Sequence, residues 1–340
     1  MKYQMREWIE GMRGFGKKKP LPILSFPCVG LLNISVRELI ADSERQAQGM
    51  ALVAARTNAA AAVSLMDLSV EAECFGAAVR FSDGEVPTVT GRLIHDMEEA
   101  EALEVPSVGS ARSGIYIDAI RRAKARITDR PVLAGMIGPF SLAARLLDVS
   151  EIMMDCYDEP EMVECVLEKA TAFLISYAKA YREAGADGIM MAEPVSGLLS
   201  PALEEEFSSP YVKRIVDAVQ DDHFAVIYHN CGDNTSRMLD SILSTGAMAY
   251  HFGNAVDLRE MLEKIPEDTV VMGNLDPAGV LRMGTPDSVR EATRDLMARC
   301  SAYPHFVPSS GCDIPPMTPW ENIDAFFEAV EDYDGEAGAL

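Results

Sequence analysis

Positive charge is scarce in this 340-residue chain: 30 lysines and arginines face 53 aspartates and glutamates, a formal net charge of −23. A surface of that sign repels nucleic acid and anionic membranes, so neither is expected as a partner. It gives no long-range attraction to an anionic substrate either, so any anion must be held by local groups. Long apolar runs are also missing. No stretch reaches the length needed to span a bilayer, and Met1-Lys2-Tyr3-Gln4-Met5-Arg6 opens no apolar signal segment. Paired cysteine spacing is absent too: seven cysteines, an odd number at irregular intervals, make no secreted disulfide framework. A reduced, cytoplasmic protein is expected. No Gly-x-Gly-x-x-Gly follows the first apolar run, which argues against an open dinucleotide-binding sheet.

What is present is alternation. Eight apolar runs read as strands, at 21–28, 61–67, 131–137, 187–193, 223–229, 247–252, 269–273 and 305–309, with helical patterns between most of them. The helical stretches include 36–56, 159–184, 202–219, 287–302 and 319–331. Thr318-Pro319-Trp320-Glu321 has the form of a helix start, and Thr285-Pro286-Asp287-Ser288 has it less completely. Eight strand–helix units predict one α/β domain, a (β/α)8 TIM barrel spanning the chain. The segment 76–130 breaks the alternation and reads as an insertion after strand two, with a hairpin around Ser82-Asp83-Gly84 and a charged helix at 96–104. The acidic tail from 331 is expected to fray.

In such a barrel, chemistry sits at the C-terminal strand ends. Those ends are polar here: Asp67, Ser141, Glu193, His229-Asn230-Cys231-Gly232, His251, Asn274-Leu275-Asp276 and Ser310-Gly311-Cys312-Asp313. His229 and Cys231 stand at i and i+2 of a strand end, on one face and about 7 Å apart along the chain. Cys312 ends another strand and can close the site from across the barrel. A His/Cys/Cys set leaves one tetrahedral position of zinc open, as catalytic sites do. Two thiolates and an imidazole neutralise the ion, which favours a further anionic ligand such as a substrate thiol. Hydrolysis of a bound water is the other chemistry such a site allows. Glu193 is the best oxygen donor for the fourth position at rest, and Cys28 is a rival ligand. His251 is a ligand, an acid–base group, or a residue that orients a ligand.

Three blocks carry a resemblance: Ala134-Gly135-Met136-Ile137-Gly138-Pro139-Phe140-Ser141, Tyr228-His229-Asn230-Cys231-Gly232, and Ser310-Gly311-Cys312-Asp313-Ile314-Pro315-Pro316-Met317-Thr318-Pro319. Met272-Gly273-Asn274-Leu275-Asp276-Pro277 adds a fourth. The chain resembles the uroporphyrinogen decarboxylase superfamily, and within it the zinc-dependent methylcobamide:coenzyme M methyltransferases. The decarboxylases look similar at the last block but carry Gly-His where this chain has Gly311-Cys312. The resemblance implies that His229, Cys231 and Cys312 bind zinc and that the acceptor is a coenzyme M-like thiol, bound as a zinc thiolate. It also implies that the methyl group comes from a methylated corrinoid. Asp67 could match the decarboxylase aspartate that contacts substrate pyrroles. The alternative is a metal-free, tetrapyrrole-decarboxylating enzyme; against it, Ser25 to Ile34 holds no arginine or lysine where the decarboxylases are Arg-rich.

No Asp-x-His-x-x-Gly corrinoid-binding motif is present, so the methylcobamide is expected on a separate corrinoid protein that docks over the barrel mouth. Met190, Met191, Leu198 and Leu199 are candidates for an apolar docking rim. Arg145 is a candidate for holding the acid group of the acceptor. Oligomeric state is not legible in the sequence.

Overall fold

A computed structural model describes residues 3–337, with side chains to Tyr333. Its strands are β1 (Ala62–Val63), the short β2 (Ala78–Arg80) and β3 (Thr88–Thr90), then β4 (Val132–Ile137), β5 (Gly188–Ala192), β6 (Ala225–Asn230), β7 (Ala249–Phe252), β8 (Val270–Leu275) and β9 (Phe306–Ser310). Seven of them form one curled sheet in the order β1-β4-β5-β6-β7-β8-β9, with every neighbouring pair parallel. The intervening helices cover its outer face, the α/β arrangement of a TIM barrel.

The expected first strand, 21–28, is not a ladder strand. Pro20 and Pro22 lack N–H groups at the start of that segment, which removes two donors on the same side. The segment still fills the gap between β9 and β1. Leu21 donates its N–H to the Pro308 carbonyl at 3.0 Å, and Ala60 donates to the Pro20 carbonyl at 2.8 Å. Side chains complete the seam: the Ser309 hydroxyl donates to the Leu21 carbonyl at 2.7 Å, and the Ile23 N–H donates to Ser310 Oγ at 3.1 Å.

Strand alternation sorts the core into two clusters. Leu133, Met190, Ala225, Ile227, Ala249, Met272 and Val307 fill the barrel interior. Their neighbours Val226, Tyr228, Tyr250 and Phe306 face the helices. Both sheet faces are therefore dry, as expected of an all-parallel sheet.

Helix boundaries follow local capping. The expected 36–56 helix is divided by Asp42, whose carboxylate accepts from the N–H groups of Glu44 and Arg45 and starts the helix Ser43–Arg56. Thr285 and Ser288 form a reciprocal capping box at the start of Pro286–Cys300. The more complete-looking Thr318-Pro319 start does not work that way. The last helix begins at Trp320, and the Thr318 hydroxyl is buried without a partner. That helix runs on through Ala337 where fraying was expected, and residues 338–340 lie outside the described residues. Within 76–130, β2 and β3 pair antiparallel through a connection longer than a Ser-Asp-Gly turn. Ser113–Arg126 packs on helix Ser43–Arg56 and on β4, like the other helices of the outer layer. No helix among the described residues is long and apolar enough to cross a membrane.

Candidate metal centre

The interior alternation of β6 runs Ala225, Ile227, His229, so the strand delivers the His229 imidazole inside the barrel at its C-terminal end. Cys231 follows directly, and Cys312 arrives two residues beyond β9. One ligand atom from each of the three lies within 4.8 Å of the others. His229 Nε2 is buried and has no hydrogen-bond partner. An orphaned ring nitrogen beside two thiols is the arrangement expected of a site that holds a soft-ligand metal.

The hydrogen bonds around His229 fix its protonation. The Ser309 O–H is committed to the Leu21 carbonyl, so Ser309 Oγ accepts from His251 Nε2 at 2.8 Å. With its proton on Nε2, His251 offers Nδ1 as an acceptor, and His229 Nδ1 lies 2.8 Å from it. The shared proton is therefore on His229 Nδ1, which leaves the Nε2 lone pair free. Parallel register makes this contact, because His229 and His251 are paired residues of β6 and β7. Burial and the facing imidazole push the His251 pKa well down, in keeping with a neutral ring.

The loop carrying Cys231 is tied down by Asn230. Its Oδ1 accepts from the Gly232 N–H at 3.0 Å and from the Thr235 hydroxyl at 2.8 Å. Its amide nitrogen donates to Ser196 Oγ and Tyr228 Oη. Gly232 and Gly197 meet backbone to backbone: a Cβ on Gly232 would sit 2.4 Å from Gly197 Cα. The two thiols are coupled: their contact lowers the pKa of Cys231, and the same contact, with burial, raises that of Cys312.

The other expected site residues fall elsewhere. Glu193 is fully buried, and both of its oxygens serve the start of helix Pro139–Leu147. Oε1 accepts from the Phe140 N–H at 2.8 Å, and Oε2 from the Ser141 N–H and hydroxyl at 2.9 and 2.8 Å. Glu193 therefore stands outside the three-residue cluster. Asp67 is buried against the Arg112 guanidinium and accepts from Tyr116 Oη at 2.7 Å. Cys28 begins a helix, is packed against Gly49 and is pushed up to about 12 by burial, so it is no rival ligand. Met190 and Met191 are core, and Leu199 is buried; of the four expected rim residues only Leu198 is exposed. Met283 and Met317, on the loops after β8 and β9, are exposed with it.

The cluster opens into a cavity of about 420 Å³ lined by Met66, Ala192, Pro194 and Arg145 and, on one side, by residues 84–89 of the β2–β3 connection and the start of β3. Asp313 also lines it, raised well above the carboxylate range by burial and by the adjacent Cys312. Three features escaped the sequence: the Ser309 link, the Arg112 partner of Asp67, and the hairpin's place in the cavity lining. The first was within reach, since Ser309 follows the inward Val307 by two. The other two depend on contacts between residues far apart in the chain.

Comparison with known proteins adds the following. The uroporphyrinogen decarboxylase (URO-D) family model matches residues 31–333. Over 271 residues, 78% of each chain, the sequence is 31% identical to a methylcobamide:CoM methyltransferase, MtbA, of Methanosarcina acetivorans. It is 28% identical to a uroporphyrinogen decarboxylase of Coxiella burnetii over 251 residues, 71% of this chain and 68% of that one. A methyltransferase structure from Methanosarcina mazei superposes with a TM-score of 0.86 over 98% of both chains, at 23% identity. A B12-independent methionine synthase from Shewanella shares the fold at a TM-score of 0.60 and 14% identity, over 96% of this chain and 98% of that one.

Proposed function

The chain belongs to the uroporphyrinogen decarboxylase family, and within it we propose a zinc-dependent methyltransferase that moves a methyl group from a methylated corrinoid, carried by a separate protein, to a small thiol. One observation carries the reading: His229, Cys231 and Cys312 converge at the floor of an open cavity, with the His229 Nε2 lone pair free. The methyltransferase relatives support it. A zinc ion held by these three donors would acidify an acceptor thiol and keep its sulfur nucleophilic.

The chain's own residues do the rest. Ser309 and His251 hold the imidazole in the ligating tautomer, and Asn230 holds the Cys231 loop. Met66, Ala192 and Pro194 give the cavity apolar walls that limit water around the reacting sulfur. In the transfer, the acceptor thiol releases its proton to solvent and its sulfur forms the new bond to the methyl carbon. The cobalt–carbon bond breaks with both electrons retained by the corrinoid, taking Co(III) to Co(I). Leu198, Met283 and Met317, exposed on loops after three different strands, are the apolar residues we assign to docking of the corrinoid protein. The expected compartment is the cytoplasm, where all seven thiols, free in the fold, stay reduced. Metal-free decarboxylation of a tetrapyrrole has less support, since it leaves the converged soft donors without a role.

The test is zinc content and thiol-dependent demethylation of free methylcobalamin in wild type, Cys231→Ser and Cys312→Ser. About one zinc in wild type, little in the variants and a parallel loss of demethylation are expected. A wild-type protein that binds no zinc sinks the proposal.

A further inference from the structure

The barrel end opposite the metal-ligand candidates is closed by the first helix, Met5–Glu10, whose Met5 and Ile9 join the interior cluster with Ala225, Ala249 and Val270 at the strand starts. Beside this plug lies a second cavity of about 450 Å³, lined by Trp8, by residues of the segment 11–19, and by Ala60 and Val307 of the barrel floor. Its lining is basic in a chain of net charge −23: Arg13, Lys17, Lys18 and Lys19 face one carboxylate, Glu7. Three of the chain's nine lysines stand here in a row, so the positive charge is concentrated at this place. Two of the four cations are engaged in holding the loop. Lys18 Nζ donates to the carbonyls of Gly14, Pro304 and Tyr303 at 2.7, 3.0 and 3.3 Å, and Lys17 pairs with Glu331 at 2.8 Å. Arg13 is different. It is half-buried, its Nε is shielded from solvent without a hydrogen-bond partner, and no ion pair reaches it among the described residues. A shielded, unpaired guanidinium cannot escape by losing its proton, so it carries a desolvation cost that an anion would relieve. Lys19 stands by the Asp129–Arg130 pair, where partial burial and the Arg130 charge lower its pKa against the pull of Asp129. The backbone adds donors. The N–H groups of Phe15, Gly16 and Lys19 meet no acceptor among the described residues, and open space lies where a Gly16 side chain would stand.

We infer that this cavity is a polyphosphate site, taking two or three linked phosphates, free or carried by a nucleotide, between Arg13 and Lys19. The arginine fork takes two phosphate oxygens side by side, the lysine acts as a point charge, and the glycine-rich turn presents its N–H groups to the same anion. The space is that of a small-molecule pocket and exceeds what one tetrahedral anion fills, which favours linked phosphates over a single one. Trp8, half-buried in the lining, offers a ring face to a base if the phosphates belong to a nucleotide. The site lies at the other end of the barrel from His229, Cys231 and Cys312 and goes beyond the methyl-transfer reading without resting on it.

Calorimetric titration of the full chain with pyrophosphate, ADP, adenosine and sulfate tests the site, at about 0.15 M salt so that exposed charge alone contributes little. Pyrophosphate and ADP are expected to bind wild type, sulfate to bind at least tenfold more weakly, and adenosine to bind least. Arg13→Met and Lys19→Met are each expected to lose about tenfold to a hundredfold in affinity for pyrophosphate. Melting temperature shows that each variant is folded, and either one alone carries the comparison. Trp8 emission, read in a Trp320→Phe background where it is the sole tryptophan, is expected to change with ADP if the base stacks there. Tighter binding of ADP than of pyrophosphate, with that change, assigns a nucleotide; equal affinity with unchanged emission assigns the free polyphosphate. The inference is overturned if wild type binds neither pyrophosphate nor ADP, if sulfate matches pyrophosphate, if adenosine matches ADP, or if the folded variants bind pyrophosphate as wild type does.

Discussion

Replacing Ser309 by alanine tests whether protonation is relayed to the metal centre through two imidazoles. In the wild type the Ser309 hydroxyl gives its proton to the Leu21 carbonyl and so accepts from His251 Nε2. Without it, the buried His251 Nε2–H loses its side-chain acceptor and keeps only the weaker influence of the Ser310 backbone, which costs about 1–3 kcal/mol. The ring escapes that cost by carrying its proton on Nδ1 instead. There it faces His229 Nδ1 at 2.8 Å, and two N–H groups cannot share that contact. His229 must then move its own proton to Nε2, the atom that faces the thiols. Groups that orient a metal-bound histidine contribute about tenfold to a hundredfold in affinity. The Nδ1–H of His229 keeps a partial alternative in the His251 carbonyl at 3.3 Å, which places the expected loss near the lower end, about tenfold. Zinc competition against a chromophoric chelator measures it, and 15N shifts of the two histidines report the tautomers. Ser310→Ala is the control: it loses a comparable seam bond, from the Ile23 N–H, and leaves in place the Ser309 hydroxyl and the Ser310 backbone that act on His251. Ser309→Ala with zinc affinity within twofold of the control and unchanged 15N shifts would refute the relay.

Other outcomes follow from single contacts. Arg112→Leu leaves Asp67 buried and unpaired and is expected to cost about 3–5 kcal/mol in denaturant unfolding, with partial recovery in Arg112→Leu/Asp67→Asn. Glu71 has one oxygen accepting from the Ile137 N–H and the other unpartnered, and burial raises it to about 8 from an ordinary 4.5. The fold then holds a proton that the unfolded chain has shed between those values, so stability falls as pH rises through that window, at about 1.4 kcal/mol per pH unit. Glu71→Gln is expected to flatten the slope; an identical slope in the variant contradicts the assignment. Gly232→Ala forces a Cβ onto the Gly197 backbone and is expected to lower zinc stoichiometry with little change in far-UV dichroism.

The barrel was legible because apolar runs buried on both faces have few other destinations than a parallel sheet. The three metal-ligand candidates were legible for a related reason: strand ends point one way in a barrel, so Cys312 had to approach His229 despite a separation of 83 positions, from 229 to 312. Glu193 shows where that reasoning stops. A carboxylate at a strand end is a ligand candidate only until a helix start is placed beside it, and the Phe140 and Ser141 N–H groups take both oxygens. Polarity marks the end of a strand, while the partner depends on the loop that arrives there. Pro20 and Pro22 were informative in the sequence and underweighted, since a run that lacks two same-side donors at its start is a poor central strand.

The seam beside those prolines joins two properties that are usually separate. Leu21 and Ile23 tether Ser309, Ser310 and Ile314, and Cys312 lies between these tethers. A chain whose first segment has not docked therefore lacks a placed third ligand and lacks the proton arrangement that frees His229. If these three residues hold a metal as proposed, its loading would depend on ring completion, and the occupied fraction of a preparation would be expected to report how much of it has closed.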